Sequence, residues 1–313
     1  MDGRVAIVGC GLVGRAWAIV FARAGYETRL WDERPEAADA ARAFAGTMLP
    51  ELESLGLIDC RAEEALSRIR VTGTLAEALD GAAYVQESTF EDLAIKRGVF
   101  ARLDALAGPD TVLASSSSAL LPSAISEGLP GRHRCLVAHP INPAYLVPAV
   151  ELVPAPWTDP ALMERSRDIL AGAGMKPIVM RKEIDGFVMN RLQGALLHEA
   201  FRLVEAGYAS AEDVDVGLRE GLALRWSFIG PFETIDLNAP GGVRDYISRY
   251  AGVYAGLSEQ PAADWSGDVL DRIETERRAR LPESGLAERQ AWRDRRLMAL
   301  AAQKRRAAKD IGD

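Results

Sequence analysis

Cysteine, histidine and long apolar runs are scarce in this chain, and each shortage removes a class of protein. The three cysteines, Cys10, Cys60 and Cys135, are odd in number and widely spaced. They form neither a disulfide framework nor a metal-ligand spacing, so no metal is expected and a reducing, cytoplasmic setting is. No window reaches the roughly 18 apolar residues of a membrane span. The opening MDGRVAIVG enters a strand pattern directly, without the basic region and apolar stretch of a signal peptide. Excess positive charge is also lacking. The net charge of −8 disfavours nucleic acid and anionic membranes as partners. Of the three histidines, His133 lies between two arginines and His198 inside a helical pattern beside Glu199. Neither reads as catalytic, which leaves His139.

What is present suits a two-domain globular protein. Hydrophobic residues make up 48% of 313, enough for a sizeable core. In the N-terminal half short apolar runs alternate with helical patterns. RVAIVG (4–9), ETRLWD (27–32), RIRVTG (68–73), AAYVQES (82–88), TVLASS (111–116), RCLVAH (134–139) and AVELV (149–153) read as strands. This alternation predicts an α/β fold of the Rossmann type, a doubly wound and mainly parallel sheet. The character changes near residue 183. EIDGFVMNRLQGALLHEAFRLVEAG predicts one long amphipathic helix opening at Asp185 and Gly186, and helical patterns follow. The expected division is a nucleotide-binding domain over 1–183 and an all-α domain over 184–313. In the Arg-rich tail the apolar stripe is expected at Trp292, Leu297 and Leu300, with a charged face that is solvated or binds an anion.

VAIVGCGLVGRAWA places Gly9, Gly11 and Gly14 in G-x-G-x-x-G spacing between a strand and a helix. Gly9 serves the tight turn, Gly11 the approach of a pyrophosphate, and Gly14 close helix–strand packing. Leu12 and Val13 complete the cofactor-facing turn. Asp32 ends the second strand, where a carboxylate takes ribose hydroxyls and repels a 2′-phosphate. NAD is therefore expected rather than NADP, with Arg34 close by as a reservation. A plain glycine turn is the alternative.

A dinucleotide site names no reaction. His139 ends a strand and is followed by Pro140, which holds it extended. Twelve residues on, Glu151 sits inside the apolar run AVELV. A lone buried carboxylate is costly, and a histidine at the crevice is a natural partner, as base and orienter. From spacing alone two readings stay open: such a pair, or a turn-capping histidine and an unrelated strand glutamate.

The chain resembles the 3-hydroxyacyl-CoA dehydrogenase family over nearly its whole length. The likeness rests on the glycine fingerprint, ASSSSALLPS (114–123), HPINP (139–143), VELV (150–153), GFVMNRL (186–192), EAFRLVEAGYASAEDVD (199–215) and GPFETIDL (230–237). The resemblance implies a catalytic set of His139, Glu151, Ser118 and Asn190. Ser118, His139 and Asn190 would touch the substrate. Glu91, Lys96, Ser118 and Asn142 would stand on the cofactor side. Within the family, SSSS, AHPINPAYLVPAVELVP and GLALRWSFIGPFETIDLN are most similar to the branch of lambda-crystallin and L-gulonate 3-dehydrogenase. L-carnitine dehydrogenases share RWSF but tend to carry aspartate where this chain has Asn190.

Two departures bear on the substrate. The fatty-acid enzymes have a basic segment after the second strand, where the nucleotide end of CoA sits. Here Glu36, Asp39, Glu51, Glu53, Asp59, Glu63 and Glu64 dominate, a poor seat for nucleotide phosphates. In LRWSFIG, Arg225 is a candidate for a small carboxylate, or for a structural salt bridge, and Trp226 is expected to pack. The resemblance thus implies an NAD-dependent enzyme oxidising the 3-hydroxyl of a small free hydroxy acid, L-gulonate or similar, to the keto acid. It also implies a homodimer through the helical domain. The alternatives are a hydroxyacyl-CoA or L-carnitine enzyme, or a non-catalytic, crystallin-like NAD-binding protein.

Overall fold

The computed structural model describes residues 3–257 and 267–312. By backbone proximity the chain forms two compact units, Met1–Met189 together with Glu288–Asp313, and Asn190–Ala287.

The first unit is built on eight strands: β1 (Arg4–Val8), β2 (Glu27–Trp31), β3 (Ile69–Val71), β4 (Ala82–Glu87), β5 (Val112–Ser115), β6 (Cys135–Pro140), β7 (Ala149–Pro154) and β8 (Lys176–Val179). They lie in the order β3-β2-β1-β4-β5-β6-β7-β8. Every neighbouring pair is parallel except β6 and β7. The fold is therefore the expected doubly wound, mainly parallel sheet, and all seven sequence-predicted strands form. The strand not foreseen is β8, a short KPIV edge strand whose proline and brevity hide it.

Alternation along β1 divides the core. Val5 and Ile7 pack on one face with Trp17, Phe21, Leu30 and Tyr84. Ala6 and Val8 pack on the other with Leu79, Phe100 and Leu113. Both faces are covered, so the parallel strands read as nearly continuous apolar runs. After β3 the chain crosses back to lay β4 against the free side of β1. That reversal opens a crevice at the carboxyl ends of β1 and β4, where ligands bind in such sheets.

Between β6 and β7 only residues 141–148 intervene, too few for a crossover helix. The chain returns beside β6 antiparallel, with His139 directly opposite Glu151. The twelve-residue spacing noted in the sequence is thus the register of a strand pair, and it brings both side chains to one face of the sheet.

The predicted long helix begins later than expected, at Met189. Asp185–Val188 form a turn in which Gly186 and Phe187 both have positive φ, +76° and +51°. The final helix, Leu286–Ile311, also departs from expectation. From Glu288 on it belongs to the first unit, and its buried residue is Met298, with Leu297 packed beside it. Trp292 and Leu300 of the expected stripe are exposed, with the Arg289 guanidinium 3.4 Å from the Trp292 ring centre. Arg305 donates to the Gly56 carbonyl and pairs with Asp59.

Among its described residues the second unit is built of helices joined by turns and loops, with no strand. It comprises most of Met189–Glu205, a run through Ala211–Val216, Gly217–Leu222 and Ala223–Trp226, then Pro231–Leu237, Gly242–Leu257 and Gly267–Arg280. Ser210 and Asp213 cap the second of these reciprocally. Among the described residues no helix is long and apolar enough to cross a membrane.

The fingerprint glycines make separable demands. A Cβ on Gly14 would fall 1.9 Å from the Gly9 carbonyl oxygen, whereas one on Gly11 would meet nothing within 4 Å. Gly14→Ala should cost about 2–3 kcal/mol, seen as a Tm fall of several degrees by circular dichroism. Gly11→Ala should leave Tm unchanged. Equal effects would contradict this division of roles.

Candidate active site and cofactor cleft

A cleft of about 540 Å³ lies over the carboxyl ends of β2, β1 and β4, lined by Gly11, Leu12, Val13, Asp32, Arg34 and Ser88 among others. Gly9 turns at φ +91°, and a Cβ there would lie 2.7 Å from the Ser88 carbonyl carbon. Gly11 stands at the start of the helix Leu12–Arg23 with open space before it, the cradle that an approaching pyrophosphate requires. Asp32 is fixed by two amides, with Oδ2 accepting from Cys10 at 2.7 Å and Oδ1 from Arg34 at 3.0 Å. The exposed Arg34 guanidinium lies 3.8 Å from the same carboxylate. These residues fit NAD. The Cys10 thiol is buried, and burial pushes it up to about 12, so it stays a neutral packing group.

Next along the strand ends comes a buried network that the sequence showed only in part. Lys96 is 1% exposed, and its ammonium donates to both oxygens of Glu87, at 2.9 and 3.0 Å, and to the Thr89 carbonyl. Glu87 also accepts from Ser115 and from the amide and hydroxyl of Thr89. Glu91 lies 3.6 Å from Lys96. Its Oε1 accepts from the Ser117 hydroxyl and from the Ser118 and Ala119 amides. Burial pushes the Glu91 carboxyl up, but these donors and Lys96 outweigh it and hold it below the ordinary range. Glu91 and Lys96 thus brace the serine turn from below. Glu87, unnoticed in the sequence, is the shared anion; its signal was two adjacent polar residues, Gln86 and Glu87, at the end of a buried strand.

Ser118 is exposed beyond β5, and Asn142 is exposed beyond β6, where the Asn142–Pro143 peptide is cis.

His139 is 5% exposed and Glu151 fully buried. Nδ1 and Oε2 are 2.7 Å apart. The other carboxylate oxygen, Oε1, accepts from the amides of Val188 and Met189 at 2.6 and 2.9 Å. Those amides open the helix Met189–Glu205, so the carboxylate caps its positive end. Burial pushes the Glu151 carboxyl up; the hydrogen bonds from His139, Met189 and Val188 outweigh it and keep it below the ordinary range. Phe187, fully buried in its left-handed turn, sets its ring 5.6 Å from the imidazole. With Glu151 ionised, Nδ1 holds the ring proton and Nε2 presents a lone pair. Neither Phe187 nor the two amides were marked in the sequence, since a backbone donor leaves no residue-type signature.

In the second unit, Asn190 follows Met189 in the same helix. Arg225 is exposed at the end of a short helix, and among the described residues it forms no ion pair. Trp226, expected to pack, is 40% exposed.

Glu151→Ala should lower stability by about 2–4 kcal/mol, since a ring nitrogen and two amides lose their acceptor. The pH dependence has a definite sign. The folded carboxyl titrates below its unfolded value, so its stabilisation is complete above about 4.3 and fades as the pH falls further. The Tm gap between the wild type and Glu151→Gln should narrow on acidification below that point; a constant gap would contradict the capping role.

Comparison with known proteins agrees with this geometry. Residues 4–184 match the family described as 3-hydroxyacyl-CoA dehydrogenase, NAD binding domain, and residues 186–277 match its C-terminal domain. A lambda-crystallin homolog of Bos taurus is 44% identical over 96% of this chain and 95% of its own. An L-carnitine dehydrogenase of Pseudomonas sp is 34% identical over 94% and 92%. Among solved structures, an NAD+-dependent dismutase, 5-formyl-3-hydroxy-2-methylpyridine 4-carboxylic acid 5-dehydrogenase, superposes with a TM-score of 0.81 at 28% identity, covering 97% of this chain and 98% of that one. A glycine cradle, a ribose-side carboxylate and matches across both halves of the chain lead to one conclusion: it is an NAD-binding member of the 3-hydroxyacyl-CoA dehydrogenase family.

Proposed function

We propose that this oxidoreductase oxidises the 3-hydroxyl of a small free hydroxy acid, L-gulonate or a similar 3-hydroxy acid, reversibly to the keto acid. The observation that carries the reading is the Glu151-held imidazole, with Nε2 as its available base. His139 takes the hydroxyl proton at Nε2, and the resulting imidazolium is stabilised by Glu151. NAD held by the glycine turn and Asp32 would supply the acceptor for the hydride of the carbinol carbon. In the reverse direction the imidazolium returns the proton. Ser118 and Asn142, beyond the ends of β5 and β6, border the reacting groups; substrate roles for Asn190, and for Arg225 as the partner of a carboxylate, are carried by the family resemblance. Glu91 and Lys96 act on the cofactor side by fixing the serine turn.

Charge supports a free acid over a CoA thioester. The face after β2 carries the acidic run noted above, and the final helix returns to it through Arg305 and Asp59. The relatives named for L-carnitine and for a pyridine carboxylic acid also act on small free molecules. In an NADH assay, free 3-oxo acids or L-gulonate should be turned over with a higher kcat/KM than acetoacetyl-CoA. The reverse order would favour a hydroxyacyl-CoA enzyme, and no turnover of any would favour a crystallin-like protein. His139→Gln should lower kcat by at least about 100-fold with NAD affinity unchanged; retained activity would remove His139 as the base.

The reading includes a cytoplasmic homodimer. Its three cysteines are unpaired. On the helix Gly242–Leu257, Val243, Ile247, Tyr250, Tyr254 and Leu257 form one exposed apolar face, wider than a solvated helix needs. Sedimentation should show twice the chain mass, reduced to the chain mass by Ile247→Glu with Tyr254→Glu. A wild-type monomer would overturn the dimer.

A further inference from the structure

Beside the histidine lies a second polar network that the reaction does not use. Ser116, just past β5, is 8% exposed. Its hydroxyl receives two hydrogen bonds from groups that only donate, Trp17 Nε1 at 3.2 Å and Gln86 Nε2 at 2.7 Å. The orientation of the Gln86 amide is fixed at both ends. Its nitrogen also faces the Ala138 carbonyl, at 3.3 Å, and its oxygen accepts from the Tyr84 hydroxyl at 2.9 Å. A carbonyl cannot donate, so the amide cannot be turned over. Both lone pairs of Ser116 are then engaged, and its single proton has one partner left, the Ser88 hydroxyl at 2.8 Å. Ser88 must therefore accept, which directs its own proton away from the network. The Ser88 backbone is pinned, its amide donating to the Val8 carbonyl at 2.7 Å. The residue lines the cofactor cleft together with Gly9, Gly11 and Asp32.

We propose that Ser88 is a cofactor-binding residue, a pre-oriented donor to a ribose oxygen in the nicotinamide half of NAD. Strand order carries the assignment. β2 brings Asp32, suited to the adenosine ribose, and β1 brings the glycine turn, suited to the pyrophosphate. β4 comes next, ahead of β5 and β6 with Ser118 and His139. What crosses β4 is the sugar between the pyrophosphate and the reacting ring. A sugar oxygen accepts, and a proton is what Ser88 has to offer. The chain of donors from Trp17 and Gln86 through Ser116 polarises that hydroxyl and strengthens it. The assignment rests on NAD binding alone and holds whichever acid is the substrate.

Ser88→Ala removes the donor with little change in volume. Calorimetric titration of one sample with NAD+, ADP-ribose and ADP tests the proposal. NAD+ and ADP-ribose should bind about 3–10-fold more weakly, the worth of one hydrogen bond, with ADP unchanged. Unaltered NAD+ affinity overturns it. So does an equal loss for ADP, which marks a general loosening of the cleft. A loss for NAD+ that ADP-ribose does not share overturns it too, moving the donor to the nicotinamide ring. Should Ser88→Ala fail to fold, Ser88→Cys keeps the shape with a far weaker donor and serves the same comparison.

Discussion

One carboxylate holds the His139 end of the first unit together. Glu151 spends one oxygen on the imidazole of His139 and the other on two amides at the start of a seventeen-residue helix. A buried charge is tolerable only when its lone pairs are filled, and here they are filled from two unrelated directions. The anion therefore joins what the sheet supplies to what the helix supplies. It fixes the ring tautomer and the point where the helix begins. It also accounts for Phe187: aiming the next two amides at one oxygen demands the sharp turn, and a left-handed residue is its cost.

The remaining polar groups at the strand ends follow the same logic of complete satisfaction. Lys96 has three protons and three acceptors, and Glu91 gathers three donors from the serine turn. Ser116 receives two hydrogen bonds and passes one on. Such networks rigidify a site when every member is paired. The consequence is a division of labour among residues of one type. Ser115, Ser116 and Ser117 are committed to internal contacts, while Ser118 stands at the exposed end of the run. A stretch that reads as four equivalent hydroxyls thus holds three buried structural ones followed by an exposed residue.

Much of this was legible in the residues because it depended on side-chain pattern. The strands announced themselves by β-branched runs and the cofactor turn by its glycines. The His139–Glu151 spacing was visible, but its cause was not: twelve residues is what an antiparallel return with a short loop imposes. What stayed hidden depended on the backbone or on distant parts of the chain. The Val188 and Met189 amides have no letter in the sequence. Gly186 read as the opening of a helix, whereas tertiary demand from Glu151 delays the helix to Met189. β8 is an edge strand with little apolar pattern. In the tail, periodicity located a stripe, but Met298 rather than Trp292 finds the core, because the first unit offers a place for it.

That return of the tail has a consequence for biosynthesis. The first unit is discontinuous, interrupted by the roughly one hundred residues of the second. A ribosome releasing this chain in order delivers every strand of the sheet well before it delivers Met298 and Arg305. Until then the core lacks one of its buried residues, and the Gly56–Asp59 corner lacks its cation. The nucleotide-binding unit is thus begun before the helical unit and completed only after it, so the helical unit has emerged before its neighbour in sequence is complete.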